Sequence, residues 1–252
     1  MHPRRDRSSS SRRRLEELDR RATPIGEVSL RRRWDPMFGR EVHEVKLDDD
    51  FLMSSLFTVA EVEVAALALE MLPQDPGTLD VVVGGLGLGF TALRVLESPA
   101  VASLVVVDAL EAVIDWHRDG LVPAGVVLTG DARCRLVHGD FFAMAGGAGL
   151  DPDHPARRVH AIVVDIDHSP RHLLDPASAG FYELAGMRAL AAHLHPGGVF
   201  SLWSNDPPDG EYQSALEQVF VDVRAEVVRF DNPLQGREST NTVYLARAAP
   251  GT

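Results

Sequence analysis

Apolar residues recur along this chain in two patterns that repeatedly follow one another. Short runs rich in Val, Ile and Leu are typical of buried strands, and the stretches between them carry apolar residues at helical spacing. Strands that alternate with helices predict an α/β fold, here a doubly wound, mostly parallel seven-stranded sheet. The predicted strands lie at 81–83, 104–107, 135–138, 161–164, 199–203, 225–230 and 241–246, the last two as an antiparallel hairpin, and the predicted helices at 59–72, 91–96, 111–118, 181–194 and 212–220.

A smaller unit precedes the sheet domain. Polar and apolar residues alternate at 27–31 and 40–47 with turn-forming residues between them, which predicts a small β unit. The triple aspartate at 48–50 predicts a second tight turn. The Arg/Ser-rich start of the chain predicts a disordered tail, with one or two helical turns over 15–21. The expected organisation is a tail over 1–22, the β unit over 23–58, the α/β domain over 59–247 and a short tail over 248–252.

The overall charge limits the partners that we expect. The 252 residues carry a net charge of −12, which argues against nucleic acid as a general partner. Arginines crowd the first residues, so the folded body is more acidic than the total suggests, and we interpret the tail as solvated rather than as a nucleic-acid-binding arm. An acidic body suits a cationic substrate, although most acidic surfaces only confer solubility.

Cysteine usage and hydropathy indicate the compartment. Cys134 is the only cysteine, so an intrachain disulfide is impossible and a reducing, cytoplasmic location is expected. No apolar run approaches the roughly 18 residues of a membrane span. The arginines at the start are not followed by an apolar segment, so a secretory signal is not expected.

A glycine cluster follows the first strand of the predicted sheet and opens a helix. Gly85, Gly87 and Gly89 alternate after the valines at 81–83, in a strand–turn–helix corner that suits a nucleotide. Phe90 occupies the position where the dinucleotide fingerprint needs its last glycine and where the phosphate-binding P-loop needs lysine. The remaining pattern, G-x-G-x-G, is typical of S-adenosylmethionine sites. The alternative is a tight turn with no ligand.

Aspartates end the next three parallel strands. Asp108 is placed to accept from ribose hydroxyls, and Asp140 from an adenine amino group, with Phe141 or Phe142 against the ring or in the core. Asp165 and Asp167, two residues apart, could hold an ammonium and take its proton as a general base. The competing interpretations are strand-end turns and helix caps.

Histidine and serine patterns favour no other chemistry. His168 with His172, or His193 with His195, could ligate a metal. Neither pair is accompanied by cysteines or by a third ligand at a spacing typical of metal sites, so no metal is expected. The chain has no G-x-S-x-G nucleophile elbow. Trp203, at the end of the fifth strand, could flank a substrate or belong to the core.

Over roughly 25–247 the chain resembles the spermidine synthase (polyamine aminopropyltransferase) family of the S-adenosylmethionine methyltransferase-like superfamily. The resemblance implies that the protein binds S-adenosylmethionine or decarboxylated S-adenosylmethionine and releases S-adenosylhomocysteine or methylthioadenosine. It implies aminopropyl or methyl transfer to an amine acceptor, with Asp165 as the base, Asp167 or Glu61 orienting the acceptor, and a homodimer. The motifs that carry it are Phe38-Gly39-Arg40, Leu47-Asp48, the glycine corner, Asp108, Gly139-Asp140, Asp165, Phe181-Tyr182 and Pro196-Gly197-Gly198.

The chain also departs from that family at residues that bear on activity. Leu88 replaces an aspartate that holds the amine-bearing chain of the nucleoside, and His168 stands on the acceptor side in place of a second acidic residue. The family's acceptor stretch, with its Tyr and His, is replaced by Ala60-Glu61-Val62-Glu63-Val64-Ala65-Ala66. Two hypotheses therefore stay open: a transferase, and a non-catalytic nucleoside-binding homologue that lost the polyamine site.

Overall fold

The computed structural model describes residues 15–73, 77–147 and 149–251. The chain divides into two compact units, one ending at Leu56 and the other beginning at Phe57. Of the tail predicted for residues 1–22, residues 1–14 lie outside the described residues.

The first unit contains a four-stranded antiparallel sheet in the order β1-β2-β3-β4. The turn expected at 48–50 is confirmed: Asp48 has a φ of 51°, and its carboxylate accepts a 2.7 Å hydrogen bond from Glu27 N. The strands are β1 (Glu16–Thr23), β2 (Gly26–Asp35), β3 (Arg40–Leu47) and β4 (Asp50–Ser54).

The helical turns expected over 15–21 are wrong, because these residues form β1 and pair with β2. Oppositely charged side chains face one another across this pairing. Arg32 lies 2.7 Å from Glu16, and Arg20 forms an ion pair with Glu27 across the two strands. Opposite charges on facing strands stabilise a sheet, and this long-range complementarity is invisible to local helical spacing.

The second unit contains the predicted seven-stranded sheet, in the order β10-β11-β9-β8-β5-β6-β7. Strands β9, β8, β5, β6 and β7 are parallel, and β10 and β11 form an antiparallel hairpin at one edge. The α/β fold class is therefore confirmed. The strands are β5 (Leu79–Gly84), β6 (Val101–Asp108), β7 (Cys134–His138), β8 (Val159–Val164), β9 (Leu194–Ser204), β10 (Val221–Asn232) and β11 (Arg237–Arg247).

Helices cover both faces of this sheet. On one face α1 crosses β9, where Ser201 Oγ donates a 2.8 Å hydrogen bond to Val64 O. The other face carries a core of buried Phe141, Met187 and Phe200. The helix expected over 181–194 begins later, after a 3₁₀ helix at Pro176–Tyr182. The α-helices are α1 (Val59–Met71), α2 (Phe90–Leu96), α3 (Glu111–Arg118), α4 (Pro123–Gly130), α5 (Phe141–Ala145), α6 (Leu184–Ala192) and α7 (Gly210–Leu216).

Two of these helices were not predicted from the sequence. Helix α4 exposes Val126 and Val127, so its apolar residues do not follow one face. Helix α5 has only five residues, too few for a periodic pattern. Among the described residues, no helix has the length and hydrophobicity needed to cross a bilayer.

Candidate functional site

The carboxyl ends of four adjacent parallel strands bring the predicted site residues to one edge of the sheet. Backbone hydrogen bonds hold these ends together, including Asp165 N to Gly84 O at 2.8 Å and Gly139 N to Asp108 O at 3.0 Å. Ligands of open α/β sheets bind at this edge. The order along it is Asp165 after β8, the glycine turn after β5, Asp108 at the end of β6, and Asp140 after β7.

The glycine turn requires glycine for two reasons. Gly85, Gly87 and Gly89 have φ values of 94°, 48° and 89°, which disfavour residues with a side chain. A Cβ on Gly85 would lie 2.1 Å from the carbonyl oxygen of Asp165. The turn is therefore in contact with the loop that follows β8, so the predicted nucleotide corner and the predicted base belong to one site.

A buried histidine supports the glycine turn from below. The Nε2 of His117 lies 2.9 Å from Gly87 O, and because a carbonyl only accepts, this nitrogen is the donor. His117 is fully buried, and burial lowers the pKa of its imidazole, which favours the neutral form. Sequence reasoning missed this residue, because nothing in α3 shows which face meets the turn.

Asp108 is bound to the backbone of the glycine turn. One carboxylate oxygen accepts from Leu86 N at 2.9 Å and the other from Leu110 N at 2.8 Å. Burial raises the pKa of Asp108, and these N–H groups oppose that rise. Each carboxylate oxygen has a second lone pair. Asp108 can therefore fix the turn and still accept from a ribose hydroxyl, a role that stays a prediction.

Asp140 caps α5 and borders a cavity. Its Oδ1 accepts from Phe142 N and Ala143 N at 2.9 and 3.1 Å. The cavity has a volume of about 260 Å³, and Phe142 contributes to its wall, whereas Phe141 is buried in the core. The residues that line the cavity are Asp140, Phe142, Ala143, Gly146, Asp175, Ala177, Ser178, Gly180, Phe181 and Gly186.

Asp165 and Glu61 are two carboxylates whose charges interact. Thr91 Oγ1 donates a 2.7 Å hydrogen bond to Asp165 Oδ2, which favours the ionised form of that carboxylate. Burial raises the pKa of Asp165 to about 6. Burial, and then the charge of Asp165, raises the pKa of Glu61 to about 8. Burial therefore disfavours the ionised form of both carboxylates, and the bond from Thr91 favours the ionised form of Asp165.

Asp167 does not share the surroundings of Asp165. It is buried, and its two oxygens accept from Leu174 N at 2.7 Å and Tyr182 OH at 2.8 Å. These bonds tie the loop after β8 to the 3₁₀ helix. Burial raises the pKa of Asp167. The geometry gives this residue a structural task, and its predicted part in catalysis stays a prediction.

His168 and His172 lie in the loop after β8 that also contains Asp167. His168 accepts at its backbone oxygen from Asn205 N at 2.7 Å, and His172 Nδ1 lies 2.8 Å from Asp206 Oδ2. The role of His168 toward the acceptor stays a prediction. Within the described ranges, no group of three or more His, Cys, Asp or Glu side chains is arranged to hold a metal ion.

Comparison with known proteins establishes the fold. No protein-family model matches the chain. A crystal structure of spermidine synthase in complex with the transition-state analogue AdoDATO is similar over 92% of this chain and 73% of that chain, with a TM-score of 0.70 and 16% identity. Spermidine synthase from Thermotoga maritima is similar over 92% and 72% of the two chains, with a TM-score of 0.68 and 16% identity. The protein therefore has a spermidine synthase-like fold.

Proposed function

We propose that this protein is a transferase that binds S-adenosylmethionine or decarboxylated S-adenosylmethionine and alkylates an amine acceptor. One observation carries the proposal. The backbone of Asp165 packs directly on Gly85, so Asp165 and the glycine turn adjoin one another. The fold shared with spermidine synthases supports the same assignment.

The residues at the sheet edge fit a nucleoside of this kind. The cavity of about 260 Å³ beside Asp140 is large enough for a purine ring, and the Asp140 carboxylate there can accept from an exocyclic amino group. Asp108, one strand away, retains acceptor capacity for a ribose hydroxyl. When bound, such a nucleoside supplies a carbon attached to a positively charged sulfur, which an amine can attack.

The protein's own contribution is to hold the acceptor and to remove a proton. An amine attacks only when its nitrogen carries a free lone pair, so an ammonium must first lose a proton. Asp165 would take that proton, and the hydrogen bond from Thr91 orients its carboxylate. Glu61, whose pKa is raised in part by the charge of Asp165, would orient the nitrogen. Catalysis would come chiefly from positioning and from the exclusion of water.

A second candidate function is nucleoside binding without transfer. Leu88 in the glycine turn is buried, at 5% exposure, so this position offers no polar group to the nucleoside. Val64 and Ala65 are also buried, where the resembling family has Tyr and His. This candidate predicts that methylthioadenosine binds while no amine is alkylated.

Calorimetric titration tests the binding half of the proposal. We expect S-adenosylmethionine, its decarboxylated form or methylthioadenosine to bind, and the proposal fails if none of them does. Asp140→Ser keeps a cap for α5 but removes the carboxylate, so it should weaken binding at least tenfold. Asp209→Ser is the matched control, because Asp209 caps α7 and does not line the cavity.

Product analysis tests the transfer half. Incubation with each nucleoside and a panel of amines should give an alkylated amine, detected by mass spectrometry. Asp165→Asn should keep nucleoside binding within threefold and lower the rate at least 100-fold. Binding without product on the whole panel would favour the non-catalytic candidate.

A further inference from the structure

A second carboxylate, that of Asp175, lines the cavity beside Asp140. Each of these aspartates precedes a short helix and caps it through one oxygen. Oδ1 of Asp140 accepts from Phe142 N and Ala143 N. Oδ1 of Asp175 accepts from Ala177 N at 2.9 Å. Oδ2 of each carboxylate accepts no hydrogen bond from a described residue, so each side chain has one oxygen free for a ligand.

An aromatic contact holds the two capped helices against each other. The ring of Phe142 in α5 lies 5.0 Å from the ring of Phe181 in the 3₁₀ helix, measured between centroids. Both rings line the cavity, together with three glycines and two alanines that leave space beside them. Asp140 and Asp175 are exposed, whereas Phe181 is buried, so the carboxylates lie toward the mouth of the cavity. An aromatic wall of this kind suits a planar ring.

A buried hydroxyl also lines the cavity. Ser178 is 8% exposed, and its hydroxyl has no hydrogen-bond partner among the described residues. A buried polar group without a partner is unfavourable, so a ligand that bonds this hydroxyl gains free energy from it. The cavity thus contains a polar group that the described part of the chain leaves unmatched.

The lining of the cavity favours a ligand that donates hydrogen bonds. The lining includes two carboxylates, and none of the described residues in it is Lys, Arg or His. The N–H groups of Phe142, Ala143 and Ala177 already donate to those carboxylates. A carbonyl oxygen brought against a carboxylate would find no donor there, which is unfavourable. An amino group carries two hydrogens and can donate to both carboxylates.

Resting on the transferase function proposed above, we propose that Asp175 is a specificity-determining residue that selects a 6-aminopurine over a 6-oxopurine. The exocyclic amino group of the nucleoside donates one hydrogen to Asp140 and the other to Asp175, while the purine ring packs on Phe142. A 6-oxopurine presents a carbonyl oxygen at the same position. That oxygen meets two carboxylates in place of a donor.

Calorimetry on the full chain at pH 7 tests this selection with three nucleosides that differ in the group at position 6 of the purine. Methylthioadenosine has two amino hydrogens, its N6-methyl derivative has one, and methylthioinosine has a carbonyl oxygen. We expect the N6-methyl derivative to bind at least fivefold, and methylthioinosine at least 100-fold, more weakly than methylthioadenosine. Binding of either analogue as tightly as methylthioadenosine would overturn the inference.

Asp175→Asn converts the second acceptor into a donor. Its amide oxygen keeps the cap bond from Ala177 N, so its NH₂ group takes the place of the free carboxylate oxygen. Methylthioadenosine should bind at least tenfold more weakly to this variant, and methylthioinosine at least fivefold more tightly, than to the wild type. A gain in affinity for methylthioinosine cannot arise from a loss of folding. Unchanged affinities for both nucleosides would show that Asp175 does not contact the base.

The matched control is Asp209→Asn. Asp209 caps α7 through its side chain and does not line the cavity. This variant makes the same chemical change at a helix cap and should leave both affinities within twofold of the wild type.

Gly180→Val tests whether the base lies in this cavity. Gly180 lines the cavity, and a Cβ on it would meet no atom within 4 Å, so the start of a side chain fits without a clash. The denaturant midpoint should stay close to that of the wild type, and methylthioadenosine should bind at least tenfold more weakly. Unchanged binding would place the base elsewhere and overturn the inference.

The two proposals fail on different results. Nucleoside binding that is selective for the 6-amino group, without any alkylated amine, would refute the transferase function alone. Formation of an alkylated amine by a chain that binds methylthioadenosine and methylthioinosine equally would refute the role of Asp175 alone.

Discussion

Thr91 Oγ1 donates a 2.7 Å hydrogen bond to Oδ2 of Asp165, which lies 74 residues further along the chain. The bond joins the helix after the glycine turn to the end of the central strand β8. It orients the carboxylate and favours its ionised form, which burial disfavours. The nucleotide corner thereby acts directly on the acidity of the group that we assign as the base.

Removal of this hydroxyl should make Asp165 a weaker acid. In Thr91→Val the ionised carboxylate loses a hydrogen bond worth about 1.4 kcal/mol, so it should ionise roughly tenfold less readily. Titration of the carboxyl carbon of Asp165 by NMR measures the change. Thr91→Ser keeps the hydroxyl and should titrate like the wild type. An unchanged titration in the valine variant would show that the bond is absent in solution.

Stability should fall as the pH rises through the range in which Glu61 ionises. A carboxyl whose folded-state pKa is raised binds more protons in the folded than in the unfolded chain. The contribution of Glu61 to the free energy of unfolding is therefore fully present below the ordinary pKa of a glutamate. This contribution is lost as the pH rises to about 8. This single group can lower the free energy of unfolding by at most about 1.4 kcal/mol per pH unit.

Denaturant unfolding between pH 5 and pH 8 checks this dependence. Glu61→Gln should flatten the fall in unfolding free energy across that window. The control is Glu217→Gln, since Glu217 is exposed at the C-terminal end of α7. This variant should show the same fall in unfolding free energy as the wild type. The same slope in wild type and Glu61→Gln would mean that Glu61 ionises normally in the folded protein.

Two glycines with positive φ should respond very differently to alanine. Gly85 (φ 94°) has no room for a Cβ, whereas Gly120 (φ 69°) has no atom within 4 Å of one. Gly120→Ala should lose only the strain of the left-handed backbone, about 1–2 kcal/mol. Gly85→Ala adds a backbone clash and should lose well over 3 kcal/mol or fail to fold.

Denaturant midpoints of these two alanine variants are the measurement. Loss of nucleoside binding should accompany Gly85→Ala only. Similar midpoints for both would indicate that the turn and the loop after β8 are not in contact.

Asp108 should stabilise the fold independently of any ligand. Asp108→Asn replaces an acceptor oxygen with an NH₂ group that faces a backbone N–H, either of Leu86 or of Leu110. A buried donor left without an acceptor costs about 1–3 kcal/mol. Chemical denaturation of the ligand-free protein should show this loss, with Glu217→Gln within about 0.5 kcal/mol of wild type. A neutral Asp108→Asn would leave ribose binding as the residue's main task.

Much of the fold was predictable because its signals are local. The valines before Gly85 and the continuous apolar run before Asp165 predict buried parallel strands, and both lie at the centre of the sheet. Parallel strands end at one edge, so Asp108 and Asp140 could also be placed at the site from sequence. The error over 15–21 has the opposite cause, since pairing with β2 overrides the local helical spacing.

The amino-acid sequence by itself determined the seven strands of the large sheet, the glycine turn, and which aspartates end the central strands, because these depend on residues close together in the chain. Only the tertiary structure decided how those aspartates are used. It brought Glu61 within electrostatic range of Asp165, it placed His117 in hydrogen-bond contact with Gly87 O, and it turned Asp167 toward Tyr182. These contacts depend on how helices pack on the sheet, and residue spacing along the chain carries no record of that packing.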